Sequence, residues 1–114
     1  MAAPAYTKWP KLPRYRGRGN TTPLETTEEQ RFVRLAKALG CKCRKLNGTG
    51  NRDWPDQLVL VPGGVKLLFE FKRVGKELRP TQEVWHDAAR KIGHAPYTVI
   101  TALQAILIVK GCIK

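Results

Sequence analysis

Residues 56–72, DQLVLVPGGVKLLFEFK, hold two short apolar runs on either side of Pro62, Gly63 and Gly64. Strand-forming residues flanking a Pro-Gly-Gly turn read as a β-hairpin. Along a strand, successive side chains point to opposite faces. Val65, Leu67, Phe69 and Phe71 therefore make an apolar core face. Lys66, Leu68, Glu70 and Lys72 make the other, with Glu70 and Lys72 side by side, about 6.6 Å apart along the chain. Leu68 on that second face argues that it is more than a solvated surface. With the turn at 62–65, position 57 or 58 falls opposite 69 or 70, which brings Asp56 within reach of Glu70 across the hairpin.

Two carboxylates placed together repel unless a cation lies between them. Mg²⁺ takes one or two carboxylates and keeps several waters. A neighbouring lysine can orient an attacking water or stabilise developing negative charge. Together these groups suit hydrolysis of a phosphodiester. Taken alone, Glu-x-Lys is equally the pattern of a solvated sheet face with a weak ion pair, typically worth below about 1 kcal/mol.

Working outward, Thr26 and Thr27 stand three residues before Glu29 and Gln30, a capping-box pattern. Phe32, Val33, Leu35, Ala36 and Leu39 follow at helical spacing and Gly40 stops the run, which predicts a helix over 27–39. Cys41 to Leu46 alternates apolar and basic residues and reads as a strand. Residues 47–54 are a Gly- and Asn-rich loop. Residues 56–61 read as a buried strand. Arg79-Pro80-Thr81-Gln82 opens a second helix, with Val84, Trp85, Ala88, Ala89 and Ile92 as its apolar face and Gly93 as its end. Residues 96–101 read as a strand. Residues 102–109 fit a short helix, a last strand, or both. The order α-β-β-β-α-β describes an α/β domain with a mixed sheet flanked by helices.

The composition points to the partner. The chain has 114 residues, 42% of them hydrophobic, which suits one globular domain. Its 21 Lys and Arg outnumber 9 Asp and Glu, a net charge of +12. Such a surplus calls for a polyanion, and nucleic acid comes first because neutralising phosphates releases counterions. A membrane surface comes second, without an amphipathic basic helix to support it. The longest apolar run near the end, Ala105 to Val109, is far short of the roughly 20 residues of a membrane span. Residues 1–6 lack the regions of a secretory signal. An odd number of cysteines (Cys41, Cys43, Cys112) makes no disulfide framework and points to a reducing cytoplasm. Residues 1–24 hold Lys8, Lys11, Arg14, Arg16 and Arg18, four prolines, three aromatic rings and no acid. They read either as an arm that tracks phosphates and stacks on bases or as an ordinary terminus. The domain proper runs over 25–114.

Pro55-Asp56, Glu70-Phe71-Lys72 and Gln82, in that order, resemble the PD-(D/E)XK nuclease superfamily, and within it the VRR-NUC domain, the virus-type replication-repair nuclease. The resemblance spans about Glu28 to Ile100. It implies a restriction-endonuclease-like fold and a Mg²⁺- or Mn²⁺-dependent DNA endonuclease. Asp56 and Glu70 would be the metal ligands, joined by the backbone carbonyl of Phe71. Lys72 would assist the attacking water, and Gln82 would help position the site. The family's helix-one acid would fall on Glu29, with Glu28 one register away; both also suit a helix N-terminus without any catalytic role. Arg73, Lys76 and Arg79 would hold phosphates alongside Arg14, Arg16 and Arg18. Small members of the family imply a homodimer acting on branched DNA such as four-way junctions. Where the family often has glycine, two positions before the proline, this chain has Asp53, followed by Trp54. Asp53 is a competing ligand or a loop acid; Trp54 stacks on a base or caps the core.

Cys41, Cys43, Cys112, His86 and His94 match no zinc spacing. His86, four residues after Gln82, reads as a surface histidine or a DNA contact. The reading from another class is a non-catalytic, basic DNA-binding protein. A third is an RNA-directed nuclease on the same scaffold.

Overall fold

The computed structural model describes residues 24–48 and 50–113. The elements run α1 (Glu25–Ala38), β1 (Lys42–Lys45), β2 (Gln57–Val61), β3 (Val65–Phe71), α2 (Pro80–Lys91), β4 (Tyr97–Val99) and α3 (Ala102–Cys112). The basic arm, with Arg14, Arg16 and Arg18, lies outside the described residues.

β2 and β3 form the expected hairpin, with Gln57 opposite Phe69 and Val61 opposite Val65. Gly63 and Gly64 take φ of 101° and 96° in the turn. Residues with a Cβ rarely adopt that conformation, so the glycines make so tight a reversal possible. β1 adds antiparallel to β2. β4 adds parallel to β3 after the crossover through α2, and the sheet order is β1-β2-β3-β4. This is the mixed-sheet α/β architecture read from the sequence.

The apolar face of β3 carries the core. Phe69 and Phe71 are fully buried, and the ring of Phe32 from α1 lies 5.0 Å and 5.6 Å from theirs. α3 closes the same layer with Ala102, Ala105, Ile106 and Val109. The ambiguous segment 102–109 is thus a helix. Its near-continuous apolar run reflects burial on most sides, and Thr101 and Gln104 cap its first turn reciprocally.

Three expectations differ from the structure. α1 begins at Glu25 with Leu24 as N-cap and no side-chain cap, so neither Thr26 nor Thr27 starts it. Glu28 and Glu29 are instead turned inward and buried. β2 is buried on one face only, because Leu60, paired with Lys42 and Lys66, is 42% exposed. α2 buries only part of its expected apolar face: Val84, Ala88 and the C-cap Ile92 are exposed and Trp85 is half-buried, whereas Ala89 faces inward together with the polar Gln82 and His86. A helix that turns its polar side inward covers a polar face of the sheet, here the face of Glu70 and Lys72.

Phe32 joins two strand-borne rings to α1. Phe32→Ala should cost about 3–5 kcal/mol, the range for losing a buried ring, measured by urea unfolding. A loss below about 1 kcal/mol would contradict this packing.

Candidate active site

The polar face of β3 ends at Glu70, and Asp56 stands just before the paired end of β2. Asp56 is fixed at both oxygens. Its Oδ2 accepts the backbone N–H of Phe71 at 2.6 Å, and Oδ1 accepts the side-chain amide of Asn47. Because Phe71 neighbours Glu70, the first contact locks the two carboxylates into one site.

Glu70 is 2% exposed. Its Oε2 accepts from Gln82 Nε2 at 3.3 Å and lies 3.5 Å from Lys72 Nζ. Its Oε1 is buried without a hydrogen-bond partner. Lys72 Nζ donates to Gln82 Oε1 at 3.1 Å, and the same oxygen accepts the Arg79 N–H at 3.0 Å. Gln82 therefore ties the start of α2 to both Glu70 and Lys72. Proline at the first helical position commits the chain to begin the helix there, and Gln82 follows two residues later on the inward side.

Burial, and then the charge of Asp56, push the Glu70 carboxyl up to about 8; Lys72 opposes this. Burial also raises Asp56, against the Phe71 N–H that stabilises its ionised form. Both acids resist ionisation where they sit, which is how a low-dielectric pocket treats two like charges. A hard cation would relieve both effects. The donor set fits one: two carboxylates with lone pairs left over, an unpartnered Oε1 among them, and the adjacent carbonyl of Phe71. Among the described residues no group of three or more His, Cys, Asp and Glu could hold a metal ion. The oxygen set is thus this pair and backbone.

The structure separates the acids of α1. Glu29 accepts from Lys45 Nζ at 3.0 Å and from Gln57 Nε2 at 2.5 Å. Its charge reaches Asp56 and helps raise it. Glu28, the neighbouring register, turns away and accepts the N–H of Ala102 at the start of α3. Glu25 was missed by sequence reasoning. It accepts the Arg73 N–H at 3.1 Å, and its charge also raises Glu70. The signal was present: Glu25, Glu29, Phe32 and Ala36 follow the spacing of one helical face, so the core stripe continues into acids one turn earlier.

His86 is not a surface histidine. It is 1% exposed, its Nε2 has no partner, and burial lowers it to about 4. Arg73 and Lys76 are exposed beside the site. Arg79 is engaged: its Nη2 donates to the carbonyl of Arg52 at 2.8 Å and lies 3.5 Å from Asp53. Asp53 also accepts from Thr81 Oγ1 at 2.8 Å, so it clamps the 50s loop to α2. Cys41 and Cys112 are buried, Cys43 is half-buried, and all three are free.

This fold, with carboxylates at 56 and 70, lysine at 72 and glutamine at 82, is the arrangement expected from the PD-(D/E)XK resemblance. A solved structure described as a VRR_NUC domain aligns with a TM-score of 0.66 and 29% identity, over 75% of this chain and 94% of that one. The chain carries a VRR-NUC domain. No family model matches the sequence, and no curated protein matches it.

In the metal-free protein, Glu70 binds a proton in the folded state between about pH 4.5 and 8 that the unfolded chain has released. Its contribution to stability therefore falls as pH rises through that window, at about 1.4 kcal/mol per pH unit. Glu70→Gln, which cannot ionise, should match the parent near pH 5 and melt higher than it near pH 9 in EDTA. Equal melting shifts at both pH values would contradict the burial of this charge.

Proposed function

We propose that the chain is a divalent-metal-dependent DNA endonuclease that hydrolyses phosphodiester bonds. The observation that carries the reading is the buried pair Asp56 and Glu70, with Lys72 and Gln82 bonded to it. The VRR-NUC domain supports nuclease chemistry, and the +12 charge supports a nucleic-acid substrate. Asp56, Glu70 and the Phe71 carbonyl would hold Mg²⁺ or Mn²⁺, with Glu29 behind Asp56. Such an ion, when bound, favours the hydroxide form of an attacking water and offsets charge on the leaving oxygen.

The chain's own groups do the rest. Lys72 presents an ammonium held in place by Gln82 and Glu70, where it can donate to the attacking water or to a phosphate oxygen as negative charge develops. Gln82 keeps that ammonium from turning to solvent. Glu25, through the Arg73 N–H, fixes the chain where it leaves β3. Arg73 and Lys76 offer cations to flanking phosphates, and the basic arm with Arg14, Arg16 and Arg18 would add contacts along the backbone.

The substrate would be branched DNA such as a four-way junction, cut by a homodimer. One such site cuts one strand, and symmetric cutting takes two sites about a two-fold axis. Three free thiols suit a cytoplasmic enzyme. No helix of the described residues is long and apolar enough to cross a membrane.

The test is cleavage of a labelled four-way junction beside linear duplex in Mg²⁺, Mn²⁺ and EDTA. Metal-dependent nicking is expected, greater on the junction, and reduced at least about a hundredfold in Lys72→Ala. Equal DNA binding by both proteins without cutting in any metal would leave the non-catalytic binder.

A further inference from the structure

Trp54 stands two residues before Asp56 and keeps 41% of its surface exposed. It is not a loose side chain. Its ring lies 4.8 Å from that of Trp85, tilted by 49°. Pro55, between it and Asp56, is fully buried. The loop that carries it is clamped to α2 at three points: Arg79 on the Arg52 carbonyl, Arg79 on Asp53, and Thr81 on Asp53. Trp85 sits one helical turn beyond Gln82, which is bonded to Glu70 and Lys72. The two rings are thus tied to the site through the 50s loop and α2.

Core packing does not explain a ring held this firmly with so much surface left in water. The charge next to it in the chain favours a polyanion: Arg52 is exposed, and Asp53 is offset by Arg79. In duplex DNA the faces of the bases are covered by their neighbours. An unpaired base has a free face, and aromatic side chains stack on it irrespective of sequence.

We propose that Trp54, backed by Trp85, is a stacking platform for an unpaired nucleobase of DNA next to the phosphate that is cut. The inference rests on the nuclease reading and specifies its substrate. The site selects DNA in which a base beside the cleaved bond is already unstacked, as at a branch point, a flap or a frayed end. Selection then comes from the shape of the strand.

The test uses the full chain in EDTA, with a splayed-arm duplex carrying 2-aminopurine at its first unpaired position and a linear duplex of the same sequence. Wild-type protein should quench 2-aminopurine on the splayed substrate and bind it more tightly than duplex. Trp54→Phe keeps an aromatic face and should retain both properties. Trp54→Leu keeps an apolar contact for Trp85 but has no ring. It should lose the quench and bind the splayed DNA about tenfold more weakly, with duplex binding unchanged and the circular dichroism of the wild type. A Leu variant that keeps quench and preference would overturn the platform. Cleavage in Mg²⁺ or Mn²⁺ separates the two readings. Wild-type cutting without quench removes the platform and leaves the nuclease. Quench without cutting in either metal removes the nuclease and leaves the platform as a base-binding site.

Discussion

Glu70 takes a carboxylate into a nearly water-free face of the sheet, beside a second buried acid, Asp56. Isolated, that arrangement is unfavourable, because burial and like charge both oppose ionisation. The surrounding structure answers that cost. Gln82 donates to Glu70 and accepts from Lys72, so α2 must turn its polar side to the sheet. The Phe71 N–H holds Asp56. Much of the apolar side of α2 is left outside, and Val84 and Ile92 are exposed. The opposite face of the same strand, Phe69 and Phe71, carries the packing on α1 and α3. One seven-residue strand thus serves core and site on its two sides.

Much of this was legible because β-strands have a period of two. The alternation in 65–72 assigned Phe71 to the core and Glu70 to the site, and the Pro-Gly-Gly turn set the register that brings Asp56 opposite. Gln82 was found through the family resemblance; the local pattern at Pro80 gave only the start of a helix. What escaped depended on tertiary partners. Thr26 and Thr27 match a cap motif, but α1 starts earlier because Glu28 and Glu29 are turned inward, bonded to α3 and to β1 and β2. Glu25 passed unnoticed because its partner, the Arg73 N–H, is 48 residues away. His86 looked like a surface residue because helical spacing cannot say which side of α2 a polar face will cover. Segment 102–109 was ambiguous because a run apolar on nearly all sides carries no period.

The geometry also bears on how the site could select a substrate. The 50s loop brings Pro55 and Asp56 to the site and is fastened to α2 through Asp53, Arg79 and Thr81. Asp53, bonded to Arg79 and Thr81, is therefore a clamp rather than a further ligand. The same clamp holds Trp54 at the rim. Positioning of the acids and presentation of an aromatic surface thus depend on one short segment.

The central claim is that Asp56 and Glu70 form a carboxylate pair that holds a proton until a cation replaces it. Calorimetric titration of the metal-free protein with Mn²⁺ at pH 7, in two buffers of different ionisation enthalpy, tests this most directly. With Glu70 pushed up to about 8, binding should release about one proton per ion, and Glu70→Gln should abolish the release together with most of the affinity. Binding that is independent of buffer, or unchanged in Glu70→Gln, would contradict the account.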